Sequence, residues 1–115
     1  MSRPARNRLA VERRIHAPVF AALGDPTRLD LVAKLCGGRP RSISQLTVDT
    51  QLTRQAVTKH LRVLQQARIV SSVRAGRESR FSFNPEPIEE IRKYLERVAG
   101  QWDDALARLR SFVET

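Results

Sequence analysis

Apolar residues recur along this chain at two periods, and the change from one to the other divides it into elements. In "LTRQAVTKHLRVLQQARIV", residues 52–70, Val57, Leu61 and Leu64 fall at helical spacing. Thr53 can cap this helix, and Leu52 and Val57 occupy the two positions of a hydrophobic staple that fixes the angle of the chain. Upstream, "HAPVFAALGDP" predicts a short helix with Pro18 in its first turn and Gly24 as its stop. Asp25 then caps a second helix, "PTRLDLVAKLC", with Pro26 at the first helical position. Its spacing predicts Leu29, Val32, Leu35 and Cys36 as the buried face. "GGRPR" at 37–41 breaks it, and Ser42 with Gln45 reads as a capping box opening a short helix around Ile43 and Leu46. "VDTQL" has the length of the turn between the helices of a helix-turn-helix.

After Ala67 the period drops to two. Phe81 and Phe83 alternate with Arg80 and Ser82, and "IVSSVRA" and "ESRFSF" flank a hairpin turn at Gly76-Arg77. Pro85 and Pro87 end the second strand and open a last helix. Along that helix Ile88, Ile91, Leu95, Val98, Trp102, Ala105, Leu109 and Phe112 alternate steps of three and four, a heptad seam. A helix of that span is roughly 40 Å long, whereas a domain of this size has a radius of gyration of about 13 Å. Its own domain cannot cover such a helix throughout, so the seam predicts a second chain as cover. Gly100 falls mid-helix, marking a kink or a close approach.

The 115 residues fit one domain, and an apolar fraction of 41% spread along the whole length argues against disorder. No apolar run approaches the ~18 residues that span a bilayer. The basic N-terminus is not followed by the apolar stretch of a secretory signal. A soluble cytoplasmic protein without a membrane partner is expected. Cys36 is the single cysteine, which excludes an internal disulfide framework.

Charge changes the picture more. The net charge is +9, and 18 of the 21 cations are arginine, whose planar fork suits phosphate and base edges. Residues 1–41 hold nine cations against three acids and residues 54–80 seven against one, but residues 85–115 hold five against seven. Such segregation suits a surface that binds a polyanion. The outer face of the 52–70 helix carries Gln55, Thr58, Lys59, Arg62 and Gln66 and no acid.

Helix-turn-helix followed by hairpin is a winged helix. The stretches "FAALGDPTRLDLVAKL", "ISQL", "LTRQAVTKHLRVLQQARIV" and "GRESRFSF" resemble the ArsR family of bacterial winged-helix repressors over roughly residues 15–85. The ending "WDDALARLRSFVE" resembles a branch often encoded beside lipid-binding-type domain proteins. The resemblance implies a homodimer joined through its first and last helices, with recognition helices in successive major grooves of a pseudo-palindromic operator. The expected architecture is mainly α with a small β-hairpin: a basic arm over 1–14, a winged helix-turn-helix over 15–84 and a dimerisation helix over 85–115.

A B-form major groove about 12 Å wide admits a helix, and an acid on the inserted face would meet phosphates on both sides. Gln55 and Thr58 are the candidates for reading bases, since glutamine bonds adenine bidentately and threonine offers a hydroxyl and a methyl. Arg54 and Lys59 reach guanine or phosphate, and Arg62 holds the backbone. Arg77 and Arg80 in the hairpin meet the neighbouring minor groove or its phosphates. Ser42 and Ser44, at the start of the supporting helix, are phosphate candidates. His60, about 60° off the buried seam, reads as a packed histidine rather than a ligand, and Cys36 as a small hydrophobe rather than a redox sensor. Trp102 reads as a seam residue rather than a pocket wall. The basic arm either lies on DNA or stands in solvent.

Some members of the family bind metal through cysteines in the short helix before the turn, others through histidines and acids in the last helix. Here "SISQLTVDT" has neither cysteine nor histidine, and residues 84–115 have no histidine. Zinc and copper favour imidazole and thiolate, so no metal and no cofactor are expected. The residues do not identify any small-molecule effector. No nucleophile with a plausible base, phosphate loop or acid pair supports an enzyme. A winged helix that binds protein rather than DNA is the alternative, and the acid-free face argues against it.

Overall fold

Eight elements follow one another in the computed structural model, which describes residues 5–48 and 50–114. They are α1 (Ala5–Leu23), α2 (Pro26–Leu35), β1 (Arg41–Ser42), α3 (Ile43–Thr47), α4 (Arg54–Gln66), β2 (Val70–Ala75), β3 (Glu78–Phe83) and α5 (Glu86–Glu114). The strands form one antiparallel sheet in the order β1-β3-β2, with Arg41 opposite Phe81 and Val70 opposite Phe83. This is a winged helix-turn-helix: α3 and α4 are the paired helices, and the β2–β3 hairpin is the wing. None of the described helices is long and apolar enough to cross a membrane.

The expected caps form. Asp25 accepts the Arg28 N–H at 3.0 Å, Thr53 accepts the Ala56 N–H at 3.1 Å, and Ser42 and Gln45 complete a reciprocal capping box. The hairpin turns through Gly76-Arg77 with positive φ at Gly76 alone, the pattern of a type II′ turn. Helix α4 ends in a Schellman motif: Ile69 N–H donates to Leu64 O and Arg68 N–H to Gln65 O, both at 3.0 Å. Arg68 holds the left-handed position (φ 64°) usually given to glycine, and Asn84 Nδ2 donates to its carbonyl at 2.9 Å. These bonds fix the end of α4 against the strand that leads into α5.

Leu31, Leu35, Leu46, Val57, Leu61, Leu64, Ile69 and Val70 are the most deeply buried side chains, with Phe81 and Ile91 in the same cluster. All three apolar residues of the α4 seam are therefore inside the domain, and Phe83 packs against the cluster beside Phe81.

Three expectations are corrected. Helix α1 is not a short helix starting near Pro18: it is already helical at Ala5, and Pro18 lies inside it. Leu9, His16, Val19 and Ala22 supply its inward face at helical spacing. Pro18 is exposed, and its missing N–H takes one helical donor from the Arg14 carbonyl. The proposed arm over 1–14 is thus helical from residue 5 onward, while its residues 1–4 lie outside the described residues, as do Asp49 of the expected turn and Thr115.

Helix α2 buries Val32 and Leu35 as expected, but the rest of its inward face is shifted. Leu29 is 52% exposed and Cys36 is also exposed, whereas Leu31, Val32 and Leu35 are buried. The phase is set by Arg28, whose side chain bends back onto the end of α1.

Third, Ile88 and Ile91 do not lie open to a second chain. Ile91 is in the domain core and Ile88 packs against it. Tyr94 closes the same contact, its ring 5.5 Å from that of His16 and 6.0 Å from that of Phe20 on α1. Arg97 and Glu12 pair across the same two helices at 2.6 Å. Beyond this point α5 leaves the domain. Trp102, Leu106, Leu109, Phe112 and Val113 are each more than half exposed. A helix of 29 residues is about 43 Å long, and the radius of gyration is 19.0 Å rather than the ~13 Å of a compact domain.

Candidate nucleic-acid interface

Packing of Val57, Leu61 and Leu64 fixes the rotation of α4 and so decides what it shows to solvent. Arg54, Gln55, Lys59, Arg62 and Gln66 are exposed and Thr58 is half-buried beside them. At helical spacing Gln55, Thr58, Lys59, Arg62 and Gln66 share one outward face. No acid stands in the helix. The Thr58 hydroxyl donates to the Arg54 carbonyl at 2.7 Å, which leaves its lone pairs and methyl for an outside partner. Gln65, one step round the helix, donates to the Ser72 hydroxyl at 3.1 Å and ties the wing to α4.

Alternation along the strands places Arg74 on the sheet face of Ser72 and Phe81, toward α4, and Arg80 on the other face with Val73. Arg80 lies 3.8 Å from Glu78, so its charge is partly offset. Arg77 is exposed at the tip and has no protein partner among the described residues. Of the two serines expected to face phosphate, Ser44 is exposed. Ser42 is turned inward: it is 6% exposed, and its hydroxyl accepts the Gln45 N–H at 3.2 Å. The same reciprocal cap that marks the helix start in the sequence removes Ser42 from the surface.

Three arginines near this face were not singled out from the sequence. Arg39 and Arg41 line a shallow depression with Pro40 and Gln45 beside the start of α3, and Arg74 lies on the wing. Their signal was the cation density on either side of Pro40 and within the hairpin, which names no single residue.

Behind α4, His60 faces the start of α2. Its Nδ1 lies 3.2 Å from Arg28 Nη1 and 3.8 Å from Asp25 Oδ2. The hydrogen bond from the Arg28 N–H, with the Arg28 guanidinium charge nearby, holds the Asp25 carboxyl below the usual carboxylate range. The packed reading of His60 fits these contacts.

Among the described residues no three of His, Cys, Asp and Glu lie together as a metal site, and the donor set in α3 and α5 lacks imidazole and thiolate. The depression beside Trp102 is lined only by residues of α5, including Val98, Gln101, Ala105 and Arg108, so it is one side of a helix and not an enclosed pocket.

Residues 25–72, from the cap of α2 into the wing, match the family described as "bacterial regulatory protein, arsR family". The chain is 37% identical to the HTH-type transcriptional regulator YuzN of Bacillus subtilis (strain 168) over 65% of its own length and 88% of that protein. It is 32% identical to the HTH-type transcriptional regulator Rv2034 of Mycobacterium tuberculosis, covering 84% of this chain and 86% of the other. Among solved structures, an ArsR-like transcriptional regulator from Rhodococcus sp. RHA1 superimposes with a TM-score of 0.74 at 37% identity, over 84% of this chain and 91% of that one. Its relatives are regulators of transcription and not enzymes. The chain belongs to the ArsR family and is a DNA-binding transcriptional regulator with a winged helix-turn-helix fold.

Proposed function

We propose that the protein is a homodimeric repressor that places two copies of α4 in successive major grooves of a pseudo-palindromic operator. The observation that carries the DNA-reading part is the acid-free outer face of α4, rigidly set by three buried apolar residues on its inner side. In this reading Gln55 and Thr58 read base edges, Arg54 and Lys59 reach guanine or phosphate, and Arg62 grips the backbone. Arg77 enters the adjoining minor groove with Arg74, and Arg80 reaches its phosphates. Ser44, Arg39 and Arg41 meet the backbone on the α3 side.

The exposed seam supports the dimer. Leu95, Val98, Trp102, Ala105, Leu109 and Phe112 continue the heptad, and Leu106 and Val113 widen it to a face broader than a two-stranded seam needs. Val11 and Ile15, exposed on α1, provide apolar area of the same kind. One copy's distal α5 laid against α1 and α5 of another would cover both. The dimer would then fix the separation of the two recognition helices at about one turn of DNA, roughly 34–36 Å. Repression follows from occupying a promoter, and one relative is named a transcriptional repressor, SdpR of Bacillus subtilis (strain 168), 25% identical over 76% of this chain.

Selection of bound duplexes from a random pool, with sedimentation of the free protein, tests the reading. The expected outcome is a two-fold symmetric motif with half-sites one turn apart and a particle of two chains. A motif without symmetry, or a single chain at working concentration, overturns the dimer. Absence of duplex binding at low salt overturns the DNA interface.

A further inference from the structure

The corner behind the recognition helix is built around one guanidinium. Arg28 Nε donates to the Ala22 carbonyl at 2.6 Å and Nη2 to the Ala21 carbonyl at 3.4 Å, so the side chain caps the end of α1. Its third nitrogen, Nη1, reaches His60 Nδ1 at 3.2 Å in the middle of α4. Arginine has donors only. The Nδ1 atom must therefore be the acceptor, and His60 must be neutral with its proton on Nε2. One side chain thus joins the last turn of α1, the first turn of α2 and the recognition helix. The same bond explains why α2 turns Arg28 inward where the apolar pattern suggested Leu29.

A proton on Nδ1 changes the partner. It removes the acceptor and sets two cations face to face, while Asp25 Oδ2 waits 3.8 Å away on the other side. The described charged groups facing His60 from the elements packed on it are Arg28 and Asp25; α1 offers the two backbone carbonyls already taken by Arg28. On its own helix its neighbours Lys59 and Arg62 are exposed.

We propose that His60 is a positioning residue for DNA recognition, holding α4 to the α1–α2 corner as the neutral acceptor of the Arg28 hydrogen bond, and that protonation moves it to Asp25 and loosens the presentation of Gln55 and Thr58. The inference rests on α4 being the DNA-reading helix. It concerns geometry and not contact with DNA: His60 lies on the side of α4 that faces the protein. Because α1 also belongs to the proposed dimer layer, the Arg28 bond is a direct mechanical link between that layer and the reading face.

The test measures affinity for a selected operator and for random duplex at fixed ionic strength, at pH 8 and pH 5.5. The proteins are the full chain, His60→Ala and His60→Asn, whose Oδ1 can stand where Nδ1 does and does not titrate. At pH 8, His60→Ala is expected to lose about tenfold on the operator, the order of one hydrogen bond to a charged group. Its affinity for random duplex stays within about twofold. His60→Asn should recover most of the operator affinity. On acidification the full chain should lose about fivefold more operator affinity than His60→Asn, whose side chain takes up no proton in this range. His16 is present in both and cancels. Arg28→Lys carries the same expectation at pH 8 if His60→Ala melts too low to assay, since an ammonium cannot serve three acceptors in that fork geometry.

Equal losses on operator and random duplex overturn the proposal, because they indicate a phosphate contact or a damaged fold. A His60-dependent rise in affinity on acidification overturns it too, since that is the sign of direct phosphate binding. If the unaltered protein binds no duplex, the DNA-reading assignment of α4 fails; if it binds and the His60 variants match it at both pH values, only the positioning role fails.

Discussion

Helices α4 and α5 are both strongly one-sided, yet their apolar stripes end in different places. In α4 the whole stripe of Val57, Leu61 and Leu64 is inside the domain, and the face left over is polar, cationic and free of acids. In α5 the apolar residues from Pro87 to Tyr94 reach the domain, and the stripe then runs on through Trp102, Leu109 and Phe112 into solvent. A covered stripe makes the opposite face the functional one. An uncovered stripe is the candidate interaction face, because folded monomers rarely keep a large contiguous apolar surface without a partner for it. On the proposed reading the two helices divide the work accordingly: α4 would meet a polyanion and α5 a second chain.

The sharpest way to break this division is to place equal insults on the two halves of α5. Leu109→Asp, outside the domain core, is expected to leave the far-ultraviolet circular dichroism of the protomer near that of the parent while sedimentation falls to one chain. Operator affinity should drop by about 10²–10⁴-fold as the second half-site stops contributing. Ile91→Ala, inside the core, should instead lower folding stability by about 2–5 kcal/mol, read from a urea or thermal midpoint. A Leu109→Asp protein that still sediments as a dimer would remove the argument that the exposed stripe is the interface.

A gentler comparison lies within α4. Arg62→Ala should weaken binding to every duplex and reduce the slope of log affinity against log salt by about one unit. Gln55→Ala should cost about 1–3 kcal/mol on the preferred operator and little on random duplex, which flattens specificity. Competition titrations at three salt concentrations separate the two. Identical salt slopes in both variants would show that the assignment of grip to Arg62 and reading to Gln55 is misplaced.

What could be seen in the sequence followed the range of the interaction that fixed it. Caps act within three residues, so Asp25, Ser42 and Thr53 were readable, as were the staple of Leu52 on Val57 and the Gly76 turn. The inner stripe of α4 was readable because its three apolar positions admit one phase. In helix α2 only Val32 and Leu35 were readable; Leu31 was not, because the exact phase follows Arg28, which bonds carbonyls six and seven residues back and a histidine 32 residues ahead. Periodicity counts a charged residue as outward, and this one turns in. The heptad along α5 was readable as a stripe, but where the domain stops covering it depends on Tyr94 meeting His16 and Phe20 of α1, a contact no local pattern contains. The start of α1 was hidden for a related reason: His16 turns inward onto Tyr94 of α5, and the arginines before it made the segment look like a loose arm. At the candidate interface the limit was different. The polarity of α4 was visible, but the inward turn of the Ser42 hydroxyl was not, because burial is a tertiary property.

Gly100 offers the smallest effect and a clean discrimination. It lies five residues after Leu95 and two before Trp102, which in heptad terms is the position farthest from the seam. The helix runs through it without a break, and a Cβ built there meets nothing within 4 Å. The close approach that its mid-helix place suggested is not present within the protomer. If the exposed stripe is the interface, a second chain also stays clear of Gly100, and Gly100→Ala acts only on the helix. It should then raise stability by up to about 1 kcal/mol, the helix-propensity difference between the two residues, with dimer mass and operator affinity unchanged. If a partner instead approaches closely on that side, the added methyl lowers the dimerisation constant, and sedimentation at decreasing protein concentration would reveal it as dissociation at concentrations where the parent stays paired.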